Sequence, residues 1–189
     1  WESFANYWRT TQLEYTWLRS LMGKHKDFWQ VTEDSLDKSM RAFDIKISMK
    51  NELLNLYKFL STFDEVPRSL KTLKEKKYKL AILSNGTPKL LNELIKNNDL
   101  ENLFDDIFSV EEVGVYKPDS RVYDIPIKKY RIKKNEIAFL SANTWDVSGG
   151  GNFGYNSIWV NRSNNIFDNL DYKPKYEIKD LNKLISLLS

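Results

Sequence analysis

Beyond Val66-Pro67 the chain alternates short apolar runs with helical patterns, and that alternation leaves few folds open to it. The apolar runs fall at Leu80–Leu83, near Ile107–Val110, at Ile137–Leu140 and at Ser157–Val160. Between and after them, the spacing predicts helices from about Arg68 to Lys76, Pro88 to Asn97 and Ser120 to Tyr130, and a last one from about Lys179. Strands that take turns with helices imply a parallel sheet, because a parallel neighbour needs a crossover long enough to hold a helix. Pro88 suits the first turn of its helix, where the missing N–H costs nothing. Pro126 is interior, so a kink or a late helix start is expected there. Gly149-Gly150-Gly151 lacks the strand-to-helix setting of a dinucleotide loop and reads as a flexible turn.

Nothing before Phe63 reads as a strand. Trp1, Phe4, Trp8, Tyr15, Leu18 and Met22 recur at helical spacing, with Leu13, Trp17 and Leu21 as a second stripe beside them. A helix apolar on two sides is expected to be packed on two sides. Further helices are expected from about Thr32 to Phe43 and from about Met49 to Leu60. The division that follows is a helical subdomain over residues 1–63 and an α/β core of Rossmann-like kind over 64–189.

Composition removes several kinds of chemistry. There is no cysteine, hence no disulfide, thiolate nucleophile or sulfur metal site, which suits a reducing, cytoplasmic setting. His25 is the sole histidine, so histidine-based triads and multi-histidine metal sites are not expected, and carboxylate, lysine and hydroxyl groups must carry any reaction. No apolar run approaches the ~18 residues of a membrane span. The net charge is +3, and the lysines at 71, 74, 76, 77 and 79 and those from 128 to 134 fall where helices precede strands. With no nucleic-acid-binding module beside them, they read as solvated helix faces, and neither nucleic acid nor membrane is an expected partner.

Three polar groups stand just past apolar runs: Ser84-Asn85-Gly86 after Leu83, Lys117-Pro118 after the strand-like Val113–Tyr116, and Ser141-Ala142-Asn143-Thr144-Trp145-Asp146 after Leu140. In open α/β sheets such strand ends converge on the ligand crevice. Backbone N–H groups around Ser84 can hold an anion, although the segment equally suits a plain turn capping the next helix. Lys117 is either a partly desolvated ammonium paired with carboxylates or one more surface lysine. Asp146 is either a lone site carboxylate or the cap of the helix that follows Trp145.

Serine, lysine and aspartate in this order, with Lys117 lying 33 residues past Ser84, resemble the haloacid dehalogenase superfamily, and Ser-Ala-Asn-x-Trp-Asp resembles its 2-haloacid dehalogenase branch. Trp8-Arg9-Thr10-Thr11-Gln12-Leu13-Glu14-Tyr15-Thr16-Trp17 resembles that branch's cap helix. The resemblance implies a Rossmann-like parallel core with a helical cap. The activity it implies is hydrolysis of short (S)-2-haloalkanoic acids to (R)-2-hydroxy acids and halide through an aspartyl ester, by a homodimer. It further implies that Ser84 and neighbouring amides hold the substrate carboxylate and that Lys117 neutralises the nucleophile. Asn143 and Asp146 would direct the hydrolytic water, and Arg9, with Asn85 facing it, would receive the halide. Leu13, Phe28 and Trp145 would wall the pocket, and Tyr123 matches another site tyrosine.

Phosphatases of the superfamily usually place two acidic residues in the last motif to hold Mg²⁺. Ser141 occupies the first of those positions, so no metal and no cofactor is expected. The superfamily's aspartate nucleophile belongs to an Asp-x-Tyr-Gly-Thr-like strand end, which this chain does not contain. The expectation is a chain truncated by roughly thirty residues before Trp1, weighed against the usual size of compact domains, lacking the first core strand and inactive by itself. The alternatives are a Mg²⁺-dependent phosphatase of the same superfamily and a non-catalytic interaction protein.

Overall fold

The structure, a computed structural model, describes residues 1–188. In chain order the elements are helices α1 (Glu2–Leu21), α2 (Phe28–Ala42), α3 (Lys50–Leu56) and α4 (Val66–Glu75), strand β1 (Ala81–Ser84), α5 (Pro88–Asn97), β2 (Asp106–Ser109), α6 (Ser120–Tyr130), β3 (Ala138–Ser141), α7 (Thr144–Phe153), β4 (Asn156–Val160), β5 (Tyr176–Ile178) and α8 (Leu184–Leu187). Two compact units divide them: Trp1–Ser61 with Ser84–Glu101 and Ser109–Tyr116, and Thr62–Leu83 with Asn102–Phe108 and the residues from Lys117 onward. Among the described residues no helix is long and apolar enough to cross a membrane.

In the first unit α1 packs along α2, and Phe4, Trp8, Leu36, Met40, Leu53 and Leu54 form the core between the helices. The α2 helix begins at Phe28 rather than near Thr32, because Asp27 caps it by accepting the Gln30 N–H at 2.9 Å. Its buried face carries Ser35 and Ser39, whose hydroxyls donate to the carbonyls of Thr32 and Ser35, so both hydroxyls are satisfied within the helix. The buried side of α1 also differs from the hydrophobic stripes. It consists of Phe4, Trp8, Thr11, Gln12 and Thr16, while Trp1, Leu18, Leu21 and Met22 are exposed. Gln12 finds its partner, Thr32, on α2, while the Thr16 hydroxyl donates to the Leu13 carbonyl within α1. The third helix stops at Leu56 and tightens into a 3₁₀ turn at Tyr57–Phe59. There Asn97 and Asn98, at the end of α5, donate to the carbonyls of Lys58 and Leu60, supplying partners that a continuing helix would otherwise provide.

The second unit is built on parallel strands. Phe139 of β3 registers with Ser157 of β4, and Trp159 of β4 with Glu177 of β5, while β1 and β2 form a separate two-stranded sheet. Ser157–Val160 are all buried, as in a strand covered on both faces. One cluster joins Leu73, Ile158, Val160, Ile178 and Leu184, and a second joins Tyr123, Phe139 and Tyr155. Strand β5 has only a short alternation, Tyr176-Glu177-Ile178, as its signature, and of its three residues Ile178 alone is buried. The last helix starts at Leu184, not near Lys179, because Asp180 first caps a 3₁₀ turn by accepting the Asn182 N–H. Helix α6 starts on time at Ser120, capped by Asp119, and runs through Pro126 to Tyr130.

Two expectations fail for one reason: glycine reads as a breaker, or passes unnoticed, where backbone conformation or close packing calls for it. Val113–Tyr116 is not a strand, since a 3₁₀ turn over Val110–Glu112 leads into Gly114 at φ +64°, a conformation that glycine adopts without strain. Gly149-Gly150-Gly151 is no flexible turn but lies inside α7.

Candidate active site

Three of the expected residues meet in the second unit. Lys117 lies in the turn before α6, Tyr123 in the first half of α6 and Asp146 in the first turn of α7, immediately after β3. The Lys117 ammonium is 3.1 Å from Asp146 Oδ2, and the Tyr123 hydroxyl donates to Asp146 Oδ1 at 2.8 Å. Both charged residues are only 5% exposed, so each depends on the other for compensation. Asp146 does not cap α7 through its side chain. The helix N-terminus favours its charge, but its hydrogen bonds go to Lys117 and Tyr123.

Burial draws the Lys117 ammonium below the ordinary lysine value, and Asp146 pulls it the other way. The ammonium also lies 4.9 Å from the centre of the Phe139 ring and 5.8 Å from that of Tyr123. Burial, with Asp146 adding to it, pushes the Tyr123 phenol far above the usual range. Tyr123 therefore keeps its proton and acts toward Asp146 as a donor.

Close packing sets this geometry. A Cβ built on Gly149 would stand 2.5 Å from the Tyr123 hydroxyl and 2.8 Å from Pro118 Cβ. Gly149→Ala is therefore expected to cost about 1–3 kcal/mol as overpacking and to dislodge Tyr123 from Asp146. Thermal unfolding and turnover measured together check this, and a variant unchanged in both would mean that Tyr123 yields freely.

The rest of the Ser141–Asp146 motif leads from the end of β3 into α7. Ser141 ends β3, and its Oγ accepts the Asn143 N–H at 3.2 Å. Asn143 occupies the N-cap position of α7 without a side-chain capping bond. Trp145 borders two open cavities of about 600 and 520 Å³. The first is also lined by Asn164, Asn165 and Ile166, which the sequence alone does not single out. That loop is fixed by Asn161, which exchanges hydrogen bonds with the Asn165 backbone, and by Thr144, which donates to Asp168 at 2.6 Å. The Asn-rich composition of 161–165 is its available signal.

In the first unit Ser84 ends β1, and its Oγ accepts the Gly86 N–H at 3.0 Å; Asn85 beside it is half-buried. Thr87, not Ser84, caps α5. Arg9, Leu13 and Trp17 follow one another at steps of four along α1, with Arg9 exposed and the other two half-buried. Phe28 is buried at the start of α2. His25 pairs with Glu111 at 2.9 Å and packs on the Tyr116 ring. Gln12 and Thr32, both fully buried beside Arg9, escape sequence reasoning, since a polar residue inside an apolar stripe looks like a break in it. Among the described residues no group of three or more histidine, aspartate or glutamate side chains is placed to hold a metal ion.

A parallel α/β sheet with a buried aspartate just past the end of β3, paired with a lysine from the turn before α6, defines a hydrolase of the haloacid dehalogenase type. The chain belongs to that family: the model of the haloacid dehalogenase-like hydrolases matches residues 2–160. It is 40% identical over 182 residues to the (S)-2-haloacid dehalogenase of Pseudomonas sp. (strain YL), covering 95% of this chain and 78% of the relative. It is 35% identical over 190 residues to (S)-2-haloacid dehalogenase 4A of Burkholderia cepacia, covering 100% and 79%. Its fold is similar to that of the L-2-haloacid dehalogenase from Xanthobacter autotrophicus with chloropropionic acid covalently bound, with a TM-score of 0.92 and 28% identity over 99% of this chain and 86% of that one.

Proposed function

We propose that the protein is an (S)-2-haloacid dehalogenase. A carboxylate attacks the halogen-bearing carbon with inversion as the carbon–halogen bond breaks and halide leaves, and water then hydrolyses the aspartyl ester to an (R)-2-hydroxy acid and the free carboxylate. The observation that carries this reading is the 40% identity to a dehalogenase of that specificity over 95% of the chain. The buried Lys117–Asp146–Tyr123 cluster supports it, since a desolvated ammonium beside carboxylates suits a site that must hold one carboxylate ready for attack.

In this reading Ser84 and nearby amides bind the substrate carboxylate, and Lys117 neutralises and orders the nucleophile. Asn143 and Asp146 direct the hydrolytic water while Ser141 holds their loop. Arg9, with Asn85, receives the halide. Leu13, Phe28 and Trp145 exclude water from a small alkyl group, and Tyr123 steadies Asp146. The nucleophile in this reading is the aspartate of an Asp-x-Tyr-Gly-Thr-like strand end, a segment that residues 1–189 do not contain. Residues 1–63 act as a helical cap and 64–189 as the core. We further take the protein to be a cytoplasmic homodimer, a reading supported by the cysteine-free composition and by the exposed Trp1, Leu21 and Met22 on the first helix.

The test is chloride release by the full-length protein from the two enantiomers of 2-chloropropionate. Release from the (S) form alone, with (R)-2-hydroxypropionate as product and no loss after exhaustive chelation, is expected. Activity lost to EDTA and restored by Mg²⁺ would favour the phosphatase instead. Arg9→Ala is expected to lower turnover by about 10²–10³-fold, the scale of removing one donor from developing negative charge. Its folding should suffer far less than its turnover, because Arg9 itself is exposed and Gln12 keeps its bond to Thr32.

A further inference from the structure

Arg9 is anchored by a directed chain of hydrogen bonds that runs into the first unit. Its Nη1 donates to Gln12 Oε1 at 2.8 Å, and Gln12 Nε2 donates to Thr32 Oγ1 at 2.7 Å. Thr32 Oγ1 passes its own proton to the Phe28 carbonyl at 2.7 Å. The Tyr57 hydroxyl points at the same Gln12 oxygen from 3.4 Å. Trp8 Nε1 donates to the Thr32 carbonyl and to Ser35 Oγ, which holds the middle of the chain in place.

Every direction in this chain is forced. A guanidinium has only donors, so it must face the amide oxygen of Gln12. The amide nitrogen is thereby turned to Thr32, whose hydroxyl must accept from it and has a single proton left to give to Phe28. Gln12 and Thr32 are 0% exposed, so the wrong amide orientation would bury unpaired groups. An exposed arginine could satisfy its donors with water, yet here a fully buried glutamine is committed to it. One Nη1 N–H is so engaged, and the other four N–H groups of the guanidinium are left to meet an anion.

We infer that Gln12, backed by Thr32, is a positioning residue: it sets the guanidinium of Arg9 for the departing halide and, through the Phe28 carbonyl, ties that setting to the wall of the pocket. The inference rests on the reading of Arg9 as the halide-receiving group. Misplacing a charged group by about 1 Å is enough to cost on the order of 10²-fold in rate.

The experiment uses the full-length protein and compares Gln12→Met, Thr32→Val and Thr32→Ser with Arg9→Ala. It reads kcat and KM for (S)-2-chloropropionate and (S)-2-bromopropionate, and inhibition by sodium bromide. Gln12→Met should lower kcat on the chloro acid by about 10- to 100-fold while KM moves less than about threefold, because the carboxylate end of the substrate is held elsewhere. The loss should be smaller on the bromo acid, whose leaving group needs less help, and bromide inhibition should weaken. Thr32→Val should show the same pattern more mildly, and Thr32→Ser should restore normal behaviour. Equal losses on both substrates with unchanged bromide inhibition would mark Gln12 as merely structural and overturn the inference. So would a normal kcat in Gln12→Met while Arg9→Ala is impaired. Normal turnover in Arg9→Ala would instead remove the role of Arg9 on which the inference stands.

Discussion

Lys117→Met is expected to destabilise the protein by about 3–5 kcal/mol, the cost of leaving one member of a buried ion pair alone, and to abolish dehalogenation. The carboxylate of Asp146 is 5% exposed, so water cannot replace the ammonium, and the Tyr123 hydroxyl offers a single neutral hydrogen bond in its place. Lys117→Met combined with Asp146→Asn should recover much of the stability, because the charge is gone and the amide carbonyl can still accept from Tyr123. Turnover should stay lost in that double variant. This separation matters, because it distinguishes a lysine required for folding from one required for chemistry. Urea unfolding of the two variants measures it. A cost below about 1 kcal/mol for the single variant, the level of an exposed pair, would mean that the site is wet.

The same pair shows how much is readable from sequence. Strand ends are legible because a four-residue apolar run that gives way to polar residues fits a buried strand and its exit better than a helix turn, and Asp146 is reached that way, whereas Lys117 is reached through a run, Val113–Tyr116, that is no strand. Helix α5 is legible to its ends, because Pro88 and the residue before it mark a start that few other patterns imitate. What fails is information that only a neighbour supplies. Three successive glycines look like a turn until the partners are visible: a Cβ would stand 2.6 Å from Phe139 at Gly150 and 2.0 Å from Tyr172 at Gly151, as well as against Tyr123 at Gly149. The helix is bare over these three successive positions, so that Tyr123, Phe139 and Tyr172 can each reach its backbone. Hydropathy likewise misplaces the buried face of α1. Gln12 and Thr16 lie inside and Leu21 outside, because the hydrogen bonds that make Gln12 tolerable in a core come from Thr32, twenty residues away.

A chain consisting of residues 1–189 alone is expected to release no chloride from 2-chloropropionate above the uncatalysed background. The family's nucleophile belongs to an Asp-x-Tyr-Gly-Thr-like strand end that residues 1–189 do not contain, and Asp146 is buried in its own pairing with Lys117 and Tyr123. The serines are no better placed. Ser84 and Ser141 spend their hydroxyl oxygens accepting the N–H groups of Gly86 and Asn143, and the sole histidine is tied to Glu111. Neither hydroxyl therefore has a base to activate it. Adding an upstream segment with an Asp-x-Tyr-Gly-Thr-like strand end should create turnover, and changing only that aspartate to asparagine should abolish it again. Chloride electrode traces on the three proteins decide the matter. Enantiospecific release by residues 1–189 alone would assign the nucleophile to this chain, and Asp146, the buried carboxylate of the cluster, would then have to leave Lys117 and Tyr123 in order to attack.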